Sequence, residues 1–358
     1  MVNLPDTLAW LCRIPSPTGE EGPIADAVSV WLEQNAKSAR IRRYNNSLVC
    51  ELGRSGPHIV LAGHLDTVRT LHDGPVRIEG DRLYGCGASD MKAGLALMLA
   101  IASHNPCADP LRITLVFYAA EEGPYATNEL ELVLESDPTL KSADFALCLE
   151  PTDNALQLGC AGTLHAQVTI RGKSAHSARP WEGDNAIHKA AVLLTRLASI
   201  EPIWKEISGL RFAQVTNATT ISGGRGRNVI PDAIELNVNH RFLPGVSVDE
   251  AKLQLESIVS SCGEVRFVDL APSALPFRDN PLVQLLIDAG VRAVEAKQAW
   301  TDVARFATRG IAAANFGPGS QSQAHQRNEW ASVSQLEQAN SLLRSWLCAC
   351  SQESTLRL

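Results

Sequence analysis

The sequence predicts an α/β protein: a discontinuous domain with a mostly parallel sheet flanked by helices, interrupted by an inserted ferredoxin-like α+β domain. Three observations lead there. From residue 4 to about 150, short runs rich in Val, Ile, Leu and Phe alternate with helical periodicity, the pattern of strands and crossover helices on a parallel sheet. The middle of the chain then changes to the order strand, helix, strand, strand, helix, strand, which is the split ferredoxin-like order. After Pro276 the first pattern resumes, so the expected segments are 1–158, 159–272 and 273–358, with the first and last forming one domain. A chain of 358 residues also exceeds what one hydrophobic core ordinarily organises.

Taken in order, Thr18-Gly-Glu-Glu21 has capping-box spacing, and Ile24, Val28, Trp31 and Leu32 share one helical face, so a helix should start near Glu20. Apolar runs at 47–52, 58–62, 112–120 and 143–149 are bounded by Gly, Pro or polar residues and read as strands. Between them, 91–103 is apolar on nearly every side, as a buried helix is. In the insertion, 163–170, 212–221, 233–242 and 264–268 read as strands, and 185–199 and 248–260 as helices. The last part predicts a helix over 281–295, a polar break, a strand at 311–316, a glycine-rich loop and a closing helix at 334–349.

Composition narrows the function. The net charge is -7, and no basic run exceeds the Arg42-Arg43 pair, which argues against a nucleic-acid surface. The amino terminus lacks a positive segment followed by an apolar one, and no apolar stretch approaches the roughly 18 residues of a membrane span. A cytoplasmic protein without a membrane partner is expected. The nine cysteines are scattered without a C-x-x-C and read as reduced core thiols, with Cys348 and Cys350 the one close pair.

The residues able to do chemistry sit at strand ends. His64-Leu-Asp66 places an imidazole and a carboxylate at the carboxyl end of a strand, where open α/β sheets keep their ligand sites. Alone, that pair also fits a capping role. Asp90 ends the small-residue loop Gly85-Cys-Gly-Ala-Ser-Asp90, and would equally serve as a helix N-cap. Glu121-Glu122 and Glu150 each follow an apolar strand, and His325 follows the Gly317-Pro-Gly319 loop within Ala324-His325-Gln-Arg327-Asn-Glu329. So many acids would repel one another without cations, and the mixture with imidazole suits two divalent ions, zinc favoured, sharing a carboxylate. His58, His72, His104, His165, His188 and His240 lack such a setting and read as surface or satisfied core residues.

In order, His64-Leu-Asp66, Gly87-Ala-Ser-Asp90-Met-Lys-Ala-Gly, Glu121-Glu122, Glu150-Pro-Thr and His325 resemble the dizinc metallopeptidase and deacylase family that includes aminoacylase, acetylornithine deacetylase and succinyl-diaminopimelate desuccinylase. The resemblance covers nearly the whole chain and implies a zinc-peptidase-like catalytic domain with an inserted dimerisation or lid domain. It implies that Asp90 bridges two Zn2+ ions, for which Co2+ or Mn2+ can substitute, with His64 and Glu150 completing one site and Glu122 and His325 the other. Asp66 would orient His64, and Glu121 would be the general base, carrying a proton from the attacking water to the departing amine. The implied assembly is a homodimer in which His176, within Ala175-His-Ser-Ala-Arg179, steadies the oxyanion at the other subunit's site. Without the family, His176 reads as an ordinary loop histidine. Asn228, Arg241, Arg179 and Thr301 are the implied substrate contacts.

Within the family, Thr301-Asp-Val-Ala-Arg305-Phe, Asn315-Phe-Gly-Pro-Gly319 and Gly183-Asp-Asn-Ala look most like the desuccinylases, which remove an N-succinyl group from a diaminodicarboxylate. A small-molecule N-acyl amino acid with several carboxylates calls for arginines, and Arg179, Arg225, Arg227, Arg241, Arg305 and Arg327 lie in or beside these strings. An acetylornithine-type deacetylase or a dipeptidase of the same family is the alternative. A non-catalytic amino-acid-binding protein would be expected to carry a damaged motif, and none is visible. Phosphoester cleavage is open to any two-metal site, although no P-loop is present.

Overall fold

The computed structural model describes residues 2–70, 72, 74–104 and 110–353. The chain forms two compact units, one from Met1–Gly159, Pro276–Ala296 and Arg305–Leu358, the other from Cys160–Leu275 and Lys297–Ala304. The first begins with α1 (Leu4–Cys12), α2 (Gly22–Asn35), β1 (Arg40–Tyr44), β2 (Ser47–Leu52), β3 (His58–His64), β4 (Arg77–Glu79), β5 (Arg82–Tyr84), α3 (Ala93–Ser103), β6 (Arg112–Tyr118), α4 (Glu129–Ser136), β7 (Phe145–Cys148) and β8 (Leu156–Leu158). The second holds β9 (Gly162–Arg171), β10 (Ala175–His176), α5 (Ala186–Ala198), β11 (Ile203–Ile207), β12 (Leu210–Gly223), β13 (Val229–Ile230), β14 (Ala233–Phe242), α6 (Val248–Val259) and β15 (Glu264–Ala271). The chain continues with α7 (Pro281–Asp288), β16 (Val294–Ala296), α8 (Val303–Ala307), β17 (Ala313–Asn315), β18 (Trp330–Ser332) and α9 (Val333–Glu353).

In the first unit an eight-stranded sheet runs β1-β2-β6-β3-β7-β17-β8-β16. Its centre is parallel, with β3 between β6 and β7 and β17 beyond β7. Because β3 and β7 are buried along their whole length, they read as continuous apolar runs rather than alternating ones. Helix α3 is buried throughout residues 93–102, which is why it carries no amphipathic stripe. Gly94 lets its first turn meet the chain after β7: a Cβ there would stand 2.4 Å from the Leu149 carbonyl oxygen.

The second unit is an antiparallel sheet ordered β11-β12-β14-β9-β15. Without β11, that order is second, third, first, fourth along the chain, the ferredoxin-like arrangement. Alternate residues Leu164, Ala166, Val168 and Ile170 of β9 face Ala190 and Leu193 of α5 and Ala251, Leu255 and Val259 of α6 in one core. A capping box between Ser247 and Glu250 starts α6.

Several expectations need correction. The capping box at Thr18 does not form, because the Thr18 hydroxyl donates to Asp66 Oδ2 at 3.0 Å while Glu21 accepts the Gly19 N–H at 2.7 Å. The helix expected over 281–295 stops at Asp288. Gly290 takes a left-handed φ of 98°, and Val294–Ala296 pairs with β8 as a parallel strand. Lys297–Ala304, counted by sequence with the last segment, packs with the second unit. There, Trp300 Nε1 donates to the Pro272 carbonyl at 3.0 Å, and Gln298 bonds the backbone of Arg211 and Ala213.

Candidate metal centre

Each candidate metal ligand stands at or just beyond the carboxyl end of a parallel strand, or in a loop that reaches it. His64 is the last residue of β3, Glu121 and Glu122 follow β6, Glu150 follows β7, and His325 lies in the loop between β17 and β18 with φ of 63°. Asp90 sits in the short irregular turn, Ala88–Lys92, that opens α3. Its two oxygens face different imidazoles: Oδ1 lies 3.2 Å from His64 Nε2, and Oδ2 lies 3.6 Å from His325 Nε2. His325 Nε2 is also 2.9 Å from Glu122 Oε1. Donor atoms of His64, Asp90 and Glu150 fall within 4.8 Å of one another, and so do those of Asp90, Glu122 and His325. A third such set, His64, Glu121 and Glu122, puts the Glu121 carboxylate in the same small volume.

The electrostatics explain what these groups need. Burial disfavours a charged His64, yet its hydrogen bond with Asp90 and the Glu121, Asp66 and Asp90 carboxylates hold its imidazole well above the ordinary value. The Glu122 hydrogen bond, outweighing burial, likewise raises His325, with Asp90 and Glu329 adding to it. Both shifts reflect a surplus of carboxylates around the two imidazoles, a charge that divalent cations would offset, and the mixed nitrogen and oxygen donors suit them.

The supporting contacts divide differently from the expectation. His64 Nδ1 meets the backbone carbonyl of Asp66 at 2.9 Å, with the Asp66 carboxylate farther off at 3.6 Å. That buried carboxylate instead accepts the N–H groups of Glu121 and Glu122, each at 3.0 Å, together with the Thr18 hydroxyl. Glu329, which the sequence marks only as the end of the His325 string, is buried and accepts N–H groups from Gly87, Ser89 and Asp90. Burial pushes its carboxyl up to about 7 although the three amides pull the other way. One residue type at one spacing gives no sign of this, since an acid gripping a loop and an acid in solvent look alike in sequence.

His176, Arg179, Asn228, Arg241 and Thr301 belong to the second unit. The β10–β13 pair brings the first three near one another: Ser177 N–H donates to the Asn228 carbonyl at 2.9 Å, and Arg179 N–H to that of His176 at 2.8 Å. His176, Arg179 and Asn228 are exposed. Arg241 is half-buried, its Nε donating to Asn239 Oδ1 at 3.1 Å, while burial lowers its guanidinium pKa. Thr301 is buried beside Cys160, whose thiol points to its carbonyl at 3.7 Å. Of the further arginines, Arg305 is fully buried, bonded to Glu131 at 2.8 Å and stacked 3.7 Å over Tyr125, so it serves the fold. Arg225 is paired with Asp232.

Carboxylates and imidazoles gathered at the strand ends of a parallel sheet form a candidate site for divalent cations. Residues 60–349 match the model of peptidase family M20/M25/M40, and the chain belongs to that family. Among curated relatives, it is 40% identical over 343 residues to a putative succinyl-diaminopimelate desuccinylase of Mycobacterium tuberculosis, covering 95% of this chain and 96% of that one. Identity to the succinyl-diaminopimelate desuccinylase of Corynebacterium glutamicum is 36% over 346 residues, or 94% of each chain. The fold is similar to that of an M20 family metallo-carboxypeptidase of Sulfolobus solfataricus, with a TM-score of 0.79, 16% identity, and 98% of this chain and 100% of that one covered.

Proposed function

We propose that this protein removes the N-succinyl group from N-succinyl-LL-2,6-diaminopimelate, hydrolysing the amide to succinate and LL-diaminopimelate. One observation carries the two-metal part of this reading: Asp90 turns one oxygen toward His64 and the other toward His325, at 3.2 and 3.6 Å. That disposition would suit a carboxylate shared by two cations, with His64 and Glu150 to hold one and Glu122 and His325 to hold the other. The choice of substrate rests on the two desuccinylases to which the chain is similar over nearly its whole length.

Two Zn2+ ions, when bound, would polarise the amide carbonyl and make water nucleophilic at neutral pH. The protein must supply the proton traffic. Glu121 takes a proton from the water as its oxygen bonds to the carbonyl carbon, then delivers it to the amide nitrogen as the C–N bond breaks, so succinate and a free amine leave. Asp66 prepares that step by holding the Glu121 and Glu122 N–H groups, which fixes the turn from which both side chains project. In a homodimer, the exposed His176 would reach the other subunit's site and donate to the oxyanion. Arg179, Arg227, Arg241 and Arg327, with Asn228 and Thr301, would meet the substrate's carboxylates, since Arg305 is committed to Glu131 and Arg225 to Asp232.

The test compares turnover of N-succinyl-LL-diaminopimelate, N-acetylornithine and a dipeptide by zinc-loaded protein. The succinyl substrate should be cleaved with the highest kcat/KM; faster cleavage of either competitor would overturn the substrate assignment while leaving the metal centre intact.

A further inference from the structure

Sequence-distant segments must be held in register for two cations to share Asp90, and a strand end alone does not fix the turn that carries it. Glu329 Oε2 accepts the Gly87 N–H at 2.7 Å, and Oε1 accepts those of Ser89 and Asp90 at 2.7 and 2.8 Å. Its own carbonyl accepts the Gly85 N–H at 3.1 Å. The residue is 4% exposed and immediately precedes β18, which pairs with β5 just upstream of the same turn. His325 lies four residues earlier on the segment that Glu329 anchors. Gly319, on that segment too, allows close approach: a Cβ there would fall 2.2 Å from the Ser89 carbonyl oxygen. One carboxylate therefore grips the Asp90 turn while its backbone terminates the His325 loop.

We propose that Glu329 is the positioning residue of the metal centre, coupling the Asp90 turn to the His325 loop so that both cation sites gain or lose affinity together. This deepens the two-metal reading and rests on it. An ionised carboxylate can accept all three amide protons, whereas a glutamine amide must turn an N–H2 group toward at least one N–H donor. The turn would then have to shift, and with it the Asp90 oxygens.

The experiment is zinc titration of protein stripped with chelator, using the unaltered chain, Glu329→Gln, Glu329→Ala and a comparator, Asp81→Asn. Asp81 braces the far end of β18 through Ser332 and Ser334 and touches no candidate ligand, so its loss should lower the unfolding temperature without changing zinc affinity. Glu329→Gln should weaken zinc binding roughly 10–100-fold at both sites, as loss of a ligand-orienting group does. Its kcat should fall while KM stays within a few-fold. Glu329→Gln with unaltered affinity at either site would overturn the proposal. So would Asp81→Asn losing affinity to the same extent at an equal loss of unfolding temperature, because the effect would then be one of general stability. If Glu329→Ala fails to fold, the glutamine variant decides alone. Failure of the unaltered chain to bind zinc would remove the metal reading itself, and is recognised before any substitution is compared.

Discussion

Glu121 and Glu122 are neighbours in sequence with the same side chain, and both group with His64 within 4.8 Å, but only Glu122 also meets His325, at 2.9 Å. The first expected outcome follows: Glu121→Gln should retain its zinc, measured by metal analysis, while kcat falls about 10²–10⁴-fold. Loss of metal with the activity would instead make Glu121 a ligand. A second prediction concerns His58, at the start of β3. Burial and the nearby Arg112 push its imidazole down from 6.5 to about 4, and its ring nitrogens lie 2.8 Å from the Thr114 hydroxyl and 3.1 Å from that of Ser142. The unfolded chain protonates first, so the stability this group contributes is complete above about pH 6.5 and is lost as the pH falls through about 4. Urea midpoints measured across that window should fall less steeply for His58→Gln than for the unaltered chain; parallel slopes would contradict it. At this scale, the sequence revealed which acids and imidazoles end strands, because a strand's direction determines where its last residue points. It could not reveal that the Asp66 carboxylate is spent on two amides, or that Glu329 is buried, because both depend on where distant backbone passes.

Elements with one dominant environment or a regular alternation were legible, and very short or mostly exposed ones were not. Strands β3, β6 and β7 and helix α3 are buried nearly throughout, so apolar content alone marks them. Strand β11 is mostly exposed and gives no alternation, and β4, β5 and β18 are three residues each, too short for any period. Gly94→Ala tests the contact between α3 and the chain after β7, where backbone cannot yield as a side-chain tip would. Urea unfolding should report a loss of about 1–3 kcal/mol, and an unchanged midpoint would mean the close approach is not needed. Arg305 tests the opposite kind of legibility, since its string suggested a substrate contact while its bonds go to Glu131 and the Tyr125 carbonyl. Arg305→Ala should cost about 2 kcal/mol of stability and leave KM for the succinyl substrate within a few-fold. A large rise in KM without loss of stability would return it to the substrate.

Over the whole molecule, the chain divides into two compact units, one of them discontinuous, and a change of hydrophobic periodicity is the signal a sequence can offer for an inserted antiparallel domain. The borders themselves were harder to read. Lys297–Ala304 is polar and broken in sequence, and it joins the second unit through hydrogen bonds of Gln298 and Trp300 that no period encodes. The proposed chemistry asks the first unit to bring residues 64, 90, 122, 150 and 325 to one place. A crystal structure of zinc-loaded protein, with data collected across the zinc absorption edge, addresses it directly. Two neighbouring anomalous peaks are expected, with one Asp90 oxygen on each, His64 and Glu150 on the first and Glu122 and His325 on the second. A single peak, or peaks bound by other residues, would contradict the shared-carboxylate centre.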